Sequence, residues 1–187
     1  MDKHPWEEYV KRLGGLLPIQ GKSFVALRED ELEAIEASLG ASLPPDYRTF
    51  LATYGASTFN CLTSIRTAGP LPESLSDDGL LPFGNFYGTN REAHDYPSIL
   101  FCVEQFSEDL PPGILTIADA GTDDQICIGL GGKIRGKVFY YDSQRVSENG
   151  DDEDEGADEE ASLSSQHIYL VADSFSDFMS RIELFAG

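Results

Sequence analysis

Residues 36–55, EASLGASLPPDYRTFLATYG, predict two amphipathic helices that meet at a sharp corner. Gly40 marks the end of the first helix, because glycine readily adopts the left-handed conformation that closes a helix. Pro44 and Pro45 mark the start of the second, since a proline in the first turn lacks only an N–H that has no intrahelical partner there. Asp46 adds a negative charge where the helix dipole favours one. Apolar residues then recur at helical spacing before Gly55: Tyr47, Phe50, Leu51 and Tyr54. This pattern indicates a structural corner.

Helical patterns also occur towards both ends of the chain. Residues 6–13 carry apolar side chains at i, i+3, i+4 and i+7, which predicts a helix that packs on the body of the protein. Residues 29–39 show a similar stripe, with acids in the first turn. A last helix is predicted after a cap at Asp173 or Ser174. The apolar faces of these helices are Trp6, Tyr9, Val10 and Leu13; Leu32, Ile35 and Leu39; and Phe175, Phe178, Met179 and Ile182.

Short apolar runs between the helices indicate β-strands. Turn-forming residues bound four of these runs, at residues 113–118, 125–130, 137–141 and 166–172. The glycine-rich residues 131–136 join the second and third runs as a hairpin. From residue 56 to 112, Gly, Pro, Ser and Asp interrupt the apolar runs, of which 80–83 and 98–103 are examples. We expect long loops with one or two strands there.

The length of 187 residues, 41% of them hydrophobic, suits a single domain with one sizeable core. Residues 1–28 are interpreted as an N-terminal helical extension. Residues 143–165 are interpreted as an acidic, disordered insertion, because they offer almost no apolar surface to offset the entropy of ordering. The N-terminus lacks an apolar signal core, and no run approaches the roughly 20 apolar residues of a membrane span. We therefore expect a cytoplasmic protein without a membrane partner.

The cysteines are odd in number and widely spaced: Cys61, Cys102 and Cys127. This pattern favours reduced thiols in apolar surroundings over a disulfide framework or a Cys-x-x-Cys metal site.

Charge restricts the class of partner. Thirty-three acids and thirteen bases give a formal net charge of −20, and nine of the acids lie between residues 148 and 160. Binding to a phosphate backbone requires clusters of Lys and Arg. Direct binding of nucleic acid is therefore not expected.

Two short motifs resemble ligand-binding loops. Gly131-x-x-x-x-Gly136-Lys137 matches part of a phosphate-binding loop, but Val138 replaces the Mg-binding hydroxyl and a strand follows where a helix is needed. A glycine-rich hairpin explains the same residues. The acidic run from residue 151 to 156 resembles a calcium loop, but Ser162 stands where the bidentate Glu is required. We predict neither a nucleotide nor a calcium site.

No pattern indicates catalysis. The sequence lacks a Gly-x-Ser-x-Gly elbow, a His-Glu-x-x-His pair and a local Cys-His signature. The polar candidates, none with a motif partner, are Asp123, Asp124, Asp142, Glu104, His4, His94 and His167. We predict a non-enzymatic protein with no cofactor, metal or catalytic residue.

Three segments, in order, resemble the Smi/Knr-type domains of the SUKH superfamily. The first resembles the family's N-terminal helix pair, the second its central hairpin and the third its closing helix. They are Leu32-x-x-Ile35-x-x-x-Leu39-Gly40 with Leu43-Pro44-x-Asp46-Tyr47-x-x-Phe50-Leu51-x-x-Tyr54-Gly55; residues 114–119, Gly121-x-Asp123-x-Gln125-Ile126-Cys127-Ile128 and 136–142; and Ala172-Asp173-Ser174-Phe175-x-x-Phe178-Met179.

The resemblance implies an α+β fold: a curved mixed or antiparallel sheet, with an N-terminal helix pair and a C-terminal helix packed on it. It also implies a role in binding proteins. Bacterial relatives are typically immunity proteins that neutralise toxins, many of them nucleases, whereas fungal relatives act as regulatory scaffolds. The leading hypothesis is an immunity protein for a basic toxin domain, because a nuclease must be basic to hold phosphate and an acidic inhibitor complements it. The alternative is a regulatory scaffold without a toxin partner.

The predicted partner-binding residues lie around the central hairpin. A turn and a strand end there place acids beside aromatics, the side chains that anchor many interfaces. The residues are Asp123, Asp124, Tyr140, Tyr141 and Asp142. Turn capping and core packing are the alternative roles for the same five side chains.

Overall fold

A computed structural model describes residues 4–19, 23–76, 78–89, 98–145, 163 and 166–185. Its described residues form five α-helices and eight strands of one antiparallel sheet. The helices are α1 (Pro5–Arg12), α2 (Glu29–Leu39), α3 (Pro45–Leu51), α4 (Ile99–Gln105) and α5 (Phe175–Arg181). The strands are β1 (Leu16–Pro18), β2 (Ser57–Arg66), β3 (Leu80–Phe86), β4 (Ile114–Asp119), β5 (Gln125–Gly129), β6 (Val138–Tyr141), β7 (Ile168–Ala172) and β8 (Ile182–Leu184).

The sheet follows chain order from β1 to β7, and β8 is a third partner of β2, beside β1 and β3. β1 pairs with the start of β2, from Ser57 to Phe59, whereas β8 pairs further along, from Thr63 to Ile65. The sheet is open but strongly curved. Just beyond β2, the Ala68 N–H donates a 2.9 Å hydrogen bond to the Val171 carbonyl of the far edge strand, β7. The predicted α+β fold with an antiparallel sheet is confirmed.

The quoted corner forms as predicted. Gly40 closes α2 with a φ of 62°, in the left-handed region. Pro45 opens α3, and Asp46 also reaches a distant helix: its Oδ2 accepts a 3.0 Å hydrogen bond from the Ser176 N–H of α5. α3 ends at Leu51 rather than continuing to Tyr54, and the remaining residues before Gly55 form a turn. The final helix is capped by Ser174, whose Oγ accepts from the Asp177 N–H.

The main core lies between the helices and one face of the sheet. The Phe50 ring of α3 is at its centre and is fully buried. Its centroid lies 4.6 to 5.6 Å from the centroids of four other aromatic rings, contributed by α1, the turn after α3, β3 and α5: Trp6, Tyr54, Phe86 and Phe175. One ring therefore contacts side chains from both ends of the chain and from the sheet.

A second apolar cluster covers the opposite face of the sheet at its C-terminal half. It consists of Ile114, Cys127, Ile134, Phe139, Tyr141, Leu163 and Ile168. Because successive residues of a strand point to opposite faces, Phe139 and Tyr141 enter this cluster while Val138 and Tyr140 enter the main core. β4, β5 and β6 are consequently buried along their whole length.

Several elements differ from the sequence-based expectation. The run at 98–103 becomes α4, with Ile99 and Cys102 buried one helical turn apart. Ile182 is buried in β8 rather than on the final helix, and β1 was not expected at all. Short strands such as these are stabilised by pairing with β2, which local periodicity does not report.

The structure also describes the cysteines, most of the N-terminal segment and part of the predicted acidic insertion. All three cysteines are free thiols, but Cys61 is exposed rather than in the core. The N-terminal segment contributes both α1 and β1. Of the predicted acidic insertion, residues 143–145 form a short 3-10 helix and Leu163 is buried in the second cluster; the other residues lie outside the described part. Within the described ranges, no helix is long and apolar enough to cross a membrane.

The Phe50 cluster predicts a large stability effect. We expect Phe50→Ala to lower the free energy of unfolding by about 3–5 kcal/mol, because it removes a fully buried ring and leaves a cavity. Urea denaturation followed by circular dichroism measures this loss. Phe185→Ala is the control, since that ring is 57% exposed, and it should change stability by about 0.5 kcal/mol or less. Similar losses in both variants would contradict the placement of Phe50.

Candidate functional site

A groove of about 530 Å³ lies between α4 and the ends of the central strands. One wall is α4, the floor comes from β3 to β5, and the turn between β4 and β5 forms the rim. The described lining residues are Asn85, Tyr87, Phe101, Cys102, Gln105, Phe106, Asp119, Gly121, Thr122, Asp123, Gln125 and Ser143. Ligand sites are typically concave and combine apolar walls with a few polar groups, as here.

Asp119 is the carboxylate on the floor. It ends β4, and only 6% of it is exposed. Its Oδ2 accepts a 3.0 Å hydrogen bond from the Asn85 amide, and its Oδ1 accepts a 2.7 Å bond from the Gly121 N–H. Gly84 makes room for it, because a Cβ at that position would collide with the carboxylate. The carboxylate is therefore held in place from two sides.

Gln125 holds the neighbouring part of the floor. The Tyr87 hydroxyl donates a 2.6 Å hydrogen bond to the Gln125 side-chain oxygen. The Gln125 amide in turn donates a 2.9 Å bond to the main-chain carbonyl of Asp123. These bonds satisfy buried polar groups and fix the turn above them. The rim of the groove is thereby ordered by side chains of its floor.

Asp124 joins the turn to the end of β6. It is 7% exposed, and its two carboxylate oxygens accept four hydrogen bonds. Oδ2 accepts from the hydroxyls of Tyr140 at 2.8 Å and Thr122 at 3.2 Å. Oδ1 accepts from the N–H and the hydroxyl of Ser143, at 2.9 and 3.1 Å. A carboxylate with this many donors acts as a structural link between two segments.

The structure separates the five predicted contact residues. Asp123 is exposed on the rim of the groove, whereas the other four are buried, with exposures of 7% for Asp124, 1% for Tyr140, 2% for Tyr141 and 5% for Asp142. Tyr140 faces the main core and Tyr141 faces the second cluster. Asp142 accepts a 3.3 Å bond from the Gln144 N–H. Asp123 is thus the exposed member of the set.

The aromatic wall of the groove was missed in the sequence. Phe101 is 36% exposed and Phe106 is half-buried, and both come from α4 or its end. Ile99, Cys102 and Phe106 recur at i, i+3 and i+7, so a helical pattern was present in the region assigned to loops and strands.

The surface around the groove is acidic. Residues 98–131 contain six acids and no Lys or Arg. Four of the acids are exposed: Glu104, Glu108, Asp109 and Asp123. Such a concentration of one sign of charge produces a local negative potential that attracts basic partners.

The chemistry of the groove does not favour nucleophilic catalysis. Burial raises the pKa of the Cys102 thiol to about 12, so the thiol stays protonated at neutral pH and is a poor nucleophile. His4 stacks on Trp6, with ring centroids 5.4 Å apart, and His167 lies in a turn with a positive φ of 61°. His94 lies outside the described residues. Within the described ranges, no three His, Cys, Asp or Glu residues form a cluster that could hold a metal ion.

Comparison with known proteins agrees with this architecture. A sequence model of the SMI1 / KNR4 family (SUKH-1) matches residues 26–181. The chain belongs to that family. It is also similar to the SPbeta prophage-derived uncharacterized protein YokK of Bacillus subtilis (strain 168), at 25% identity over 163 residues, which cover 80% of this chain and 71% of that protein. The matched region of this SUKH-1 chain includes the corner, the whole groove and all of α5.

Asp124 and Asp123 form a matched pair for testing the turn. We expect Asp124→Asn to lower the free energy of unfolding by about 1–3 kcal/mol, because an amide group then faces buried donors. Asp123→Asn should change it by about 0.5 kcal/mol or less, since its side chain is exposed. Urea unfolding at pH 7 measures both. Equal losses would show that the Asp124 hydrogen bonds do not stabilise the fold.

The buried tyrosines predict a loss of stability at high pH. Burial raises the pKa of Tyr141 to about 12, and burial with the hydrogen bond to Asp124 raises the pKa of Tyr140. An unfolded tyrosine titrates near 10, so both states keep the proton below that pH. As the pH rises from 10 through 12, the unfolded state loses the Tyr141 proton first and stability falls by about 1.4 kcal/mol per pH unit.

Tyr141→Phe tests this dependence. Between pH 10 and 12 the free energy of unfolding of the variant should fall less steeply than that of the wild type. The difference in slope should be about 1.4 kcal/mol per pH unit, the contribution of one ionisable group. Urea unfolding at pH 7 serves as the control, because it reports any change in packing without ionisation. An unchanged slope above pH 10 would refute the buried, protonated state of Tyr141.

Proposed function

We propose that this SUKH-1 protein is an immunity protein that neutralises a basic toxin domain, a nuclease, by direct binding. The observation that supports this proposal is the groove beside α4, which combines a concave surface with an acidic rim. In this proposal the protein acts in the cytoplasm, without a cofactor and without contacting nucleic acid itself. The surface from Asp123 to Asp142 forms the centre of the contact.

Electrostatics support a basic partner. A nuclease domain carries positive charge to hold phosphate, and the acids around the groove present the complementary potential. Complementary potentials speed encounter and orient the partners as they approach. The acids would then occupy the positive surface that the toxin uses for its substrate.

The five residues of the hairpin region have different parts in this proposal. Asp123 contacts the partner from the rim. The buried Asp124, Tyr140 and Asp142 position that rim. Asp124 accepts hydrogen bonds from Tyr140 and from Ser143, and Asp142 accepts one from the Gln144 N–H just beyond the end of β6. Tyr141 supports the same strand end from the other face. A stable complex would bury about 1,200–2,000 Å² in total, so the groove is part of a larger contact.

Isolation of the partner tests the proposed function. We expect an affinity pull-down with the tagged protein, from lysate of its own source at low salt, to recover one basic toxin-like protein that high salt displaces. Mass spectrometry with an abundance control identifies it. Recovery of several signalling or envelope-related proteins would favour the regulatory scaffold and overturn the proposal. A toxin gene directly upstream of this gene supports immunity, whereas an isolated gene favours the scaffold.

Charge reversal on the rim tests which surface is used. We expect Asp123→Lys to slow association with the isolated partner several-fold at low salt, and the difference to shrink at high salt. Glu33→Lys is the matched control, because Glu33 is exposed on α2 and is not among the groove residues. Stopped-flow or surface-based kinetics measure the rates. If both variants slow association equally, net charge and not the groove surface determines binding.

A further inference from the structure

We infer that the groove beside α4 receives an arginine side chain of the partner protein. This inference rests on the proposed function and names the chemical group that enters the site. It follows from three features of the groove: its oxygen acceptors, its aromatic wall and its lack of basic residues.

The acceptors are placed on two levels. The Asp123 carboxylate is exposed on the rim. The Asp119 carboxylate lies on the floor, where each of its oxygens already accepts one hydrogen bond, and it adds negative charge there. Thr122 and Ser143 also line the groove, and their hydroxyls donate hydrogen bonds to the Asp124 carboxylate. The groove's described lining includes no Lys, Arg or His. A positively charged group that carries several donors would complement this surface.

The aromatic wall distinguishes arginine from lysine. Phe101 and Phe106 project from α4 and its end, and both rings are partly accessible. A planar guanidinium can lie on an aromatic ring while its edge donates to a carboxylate, and it is more weakly hydrated than an ammonium. Lysine offers only a compact charge without the planar face. The combination of ring and carboxylate therefore fits arginine best.

The negative character of this groove is local. A second groove, of about 510 Å³, lies beside α5 and β8 and is lined by Arg12, Arg66 and Arg181 among others. The net charge of −20 thus does not make every concave surface of the protein acidic. The preference for a cation belongs to the groove beside α4.

The site is also preorganised. Asp119 is held by Asn85 and the Gly121 N–H, and Gln125 is held by Tyr87. Polar groups that are already oriented lose little freedom when a ligand binds. Arginine is enriched among the residues that dominate interface energetics, particularly where it enters a formed pocket. The inserted side chain would therefore be an anchor of the complex.

Small analogues test the inference without the toxin. The probes are N-acetyl-arginine N-methylamide, its lysine counterpart and its citrulline counterpart, which keeps the shape of arginine but is neutral. Each is titrated into the ¹⁵N-labelled full chain and followed by two-dimensional NMR. We expect the arginine probe to cause saturable shifts at amides of residues 101–106, 119–125 and 143. The lysine probe should bind more weakly, and the citrulline probe weaker still.

Variants localise the effect. Asp123→Asn should weaken the arginine probe about three-fold, since one exposed charge partner is lost. Phe101→Leu keeps an apolar side chain but removes the ring, and it should reduce the preference for arginine over lysine. Glu33→Gln is the control for total charge and should leave the affinity unchanged. Both groove variants change accessible side chains, and unchanged amide spectra elsewhere would confirm their fold.

The inference would be overturned by shifts outside the groove, by equal binding of the arginine and citrulline probes, or by equal effects of Asp123→Asn and Glu33→Gln. Equal binding of the lysine probe would also overturn it, because the aromatic wall would then have no role. These results are distinguishable from failure of the proposed function. If the arginine probe binds but the pull-down recovers no toxin, the arginine site stands and the immunity role is refuted. If the pull-down recovers a toxin but the arginine probe does not bind, the immunity role stands and the arginine site is refuted.

Discussion

Burial of the Phe50 ring holds the helices against the curved sheet. Its contacts with rings of α1, β3 and α5 join segments from the start, middle and end of the chain. Asp46, one turn earlier in α3, reinforces this arrangement by accepting hydrogen bonds from the N–H and hydroxyl of Ser176. The corner that precedes α3 therefore has a packing role. It places an aromatic ring and a carboxylate where the first and last helices meet.

The central strands then position the groove. They are covered on both faces, so their backbone is rigid and their ends project polar side chains at defined places. Asp119 and Asp124 sit on either side of the short turn between β4 and β5, and both carboxylates are hydrogen-bonded. Asp123, between them, is left on the surface. Two buried acids thus hold one exposed acid in a fixed position.

This arrangement is better suited to binding than to catalysis. The groove's thiol is kept protonated by burial, and the carboxylates of the turn are occupied with hydrogen bonds that order the loop. Membership of the SUKH-1 family is consistent with a role in protein recognition. The immunity proposal adds a reason for the acidic rim, because a toxin that binds phosphate presents the opposite charge. An arginine inserted between Phe101 and the exposed Asp123 carboxylate would connect that long-range attraction to a specific contact.

The sequence by itself determined the features that depend on neighbouring residues. Helical spacing, Gly40, Pro45 and the Ser174 cap located four of the helices, and the apolar runs located β4 to β7.

Only the tertiary structure decided the rest. β1 and β8 exist through pairing with β2. α4 acquires its role by packing beside β4, which begins nine residues after α4 ends. Of the five predicted contact residues, Asp123 lines the groove. The pleat of β6 sends Tyr140 and Tyr141 to opposite faces of the sheet, and hydrogen bonds between distant segments bury Asp124 while leaving Asp123 exposed. Burial depends on contacts between residues far apart in the chain, which local patterns do not encode.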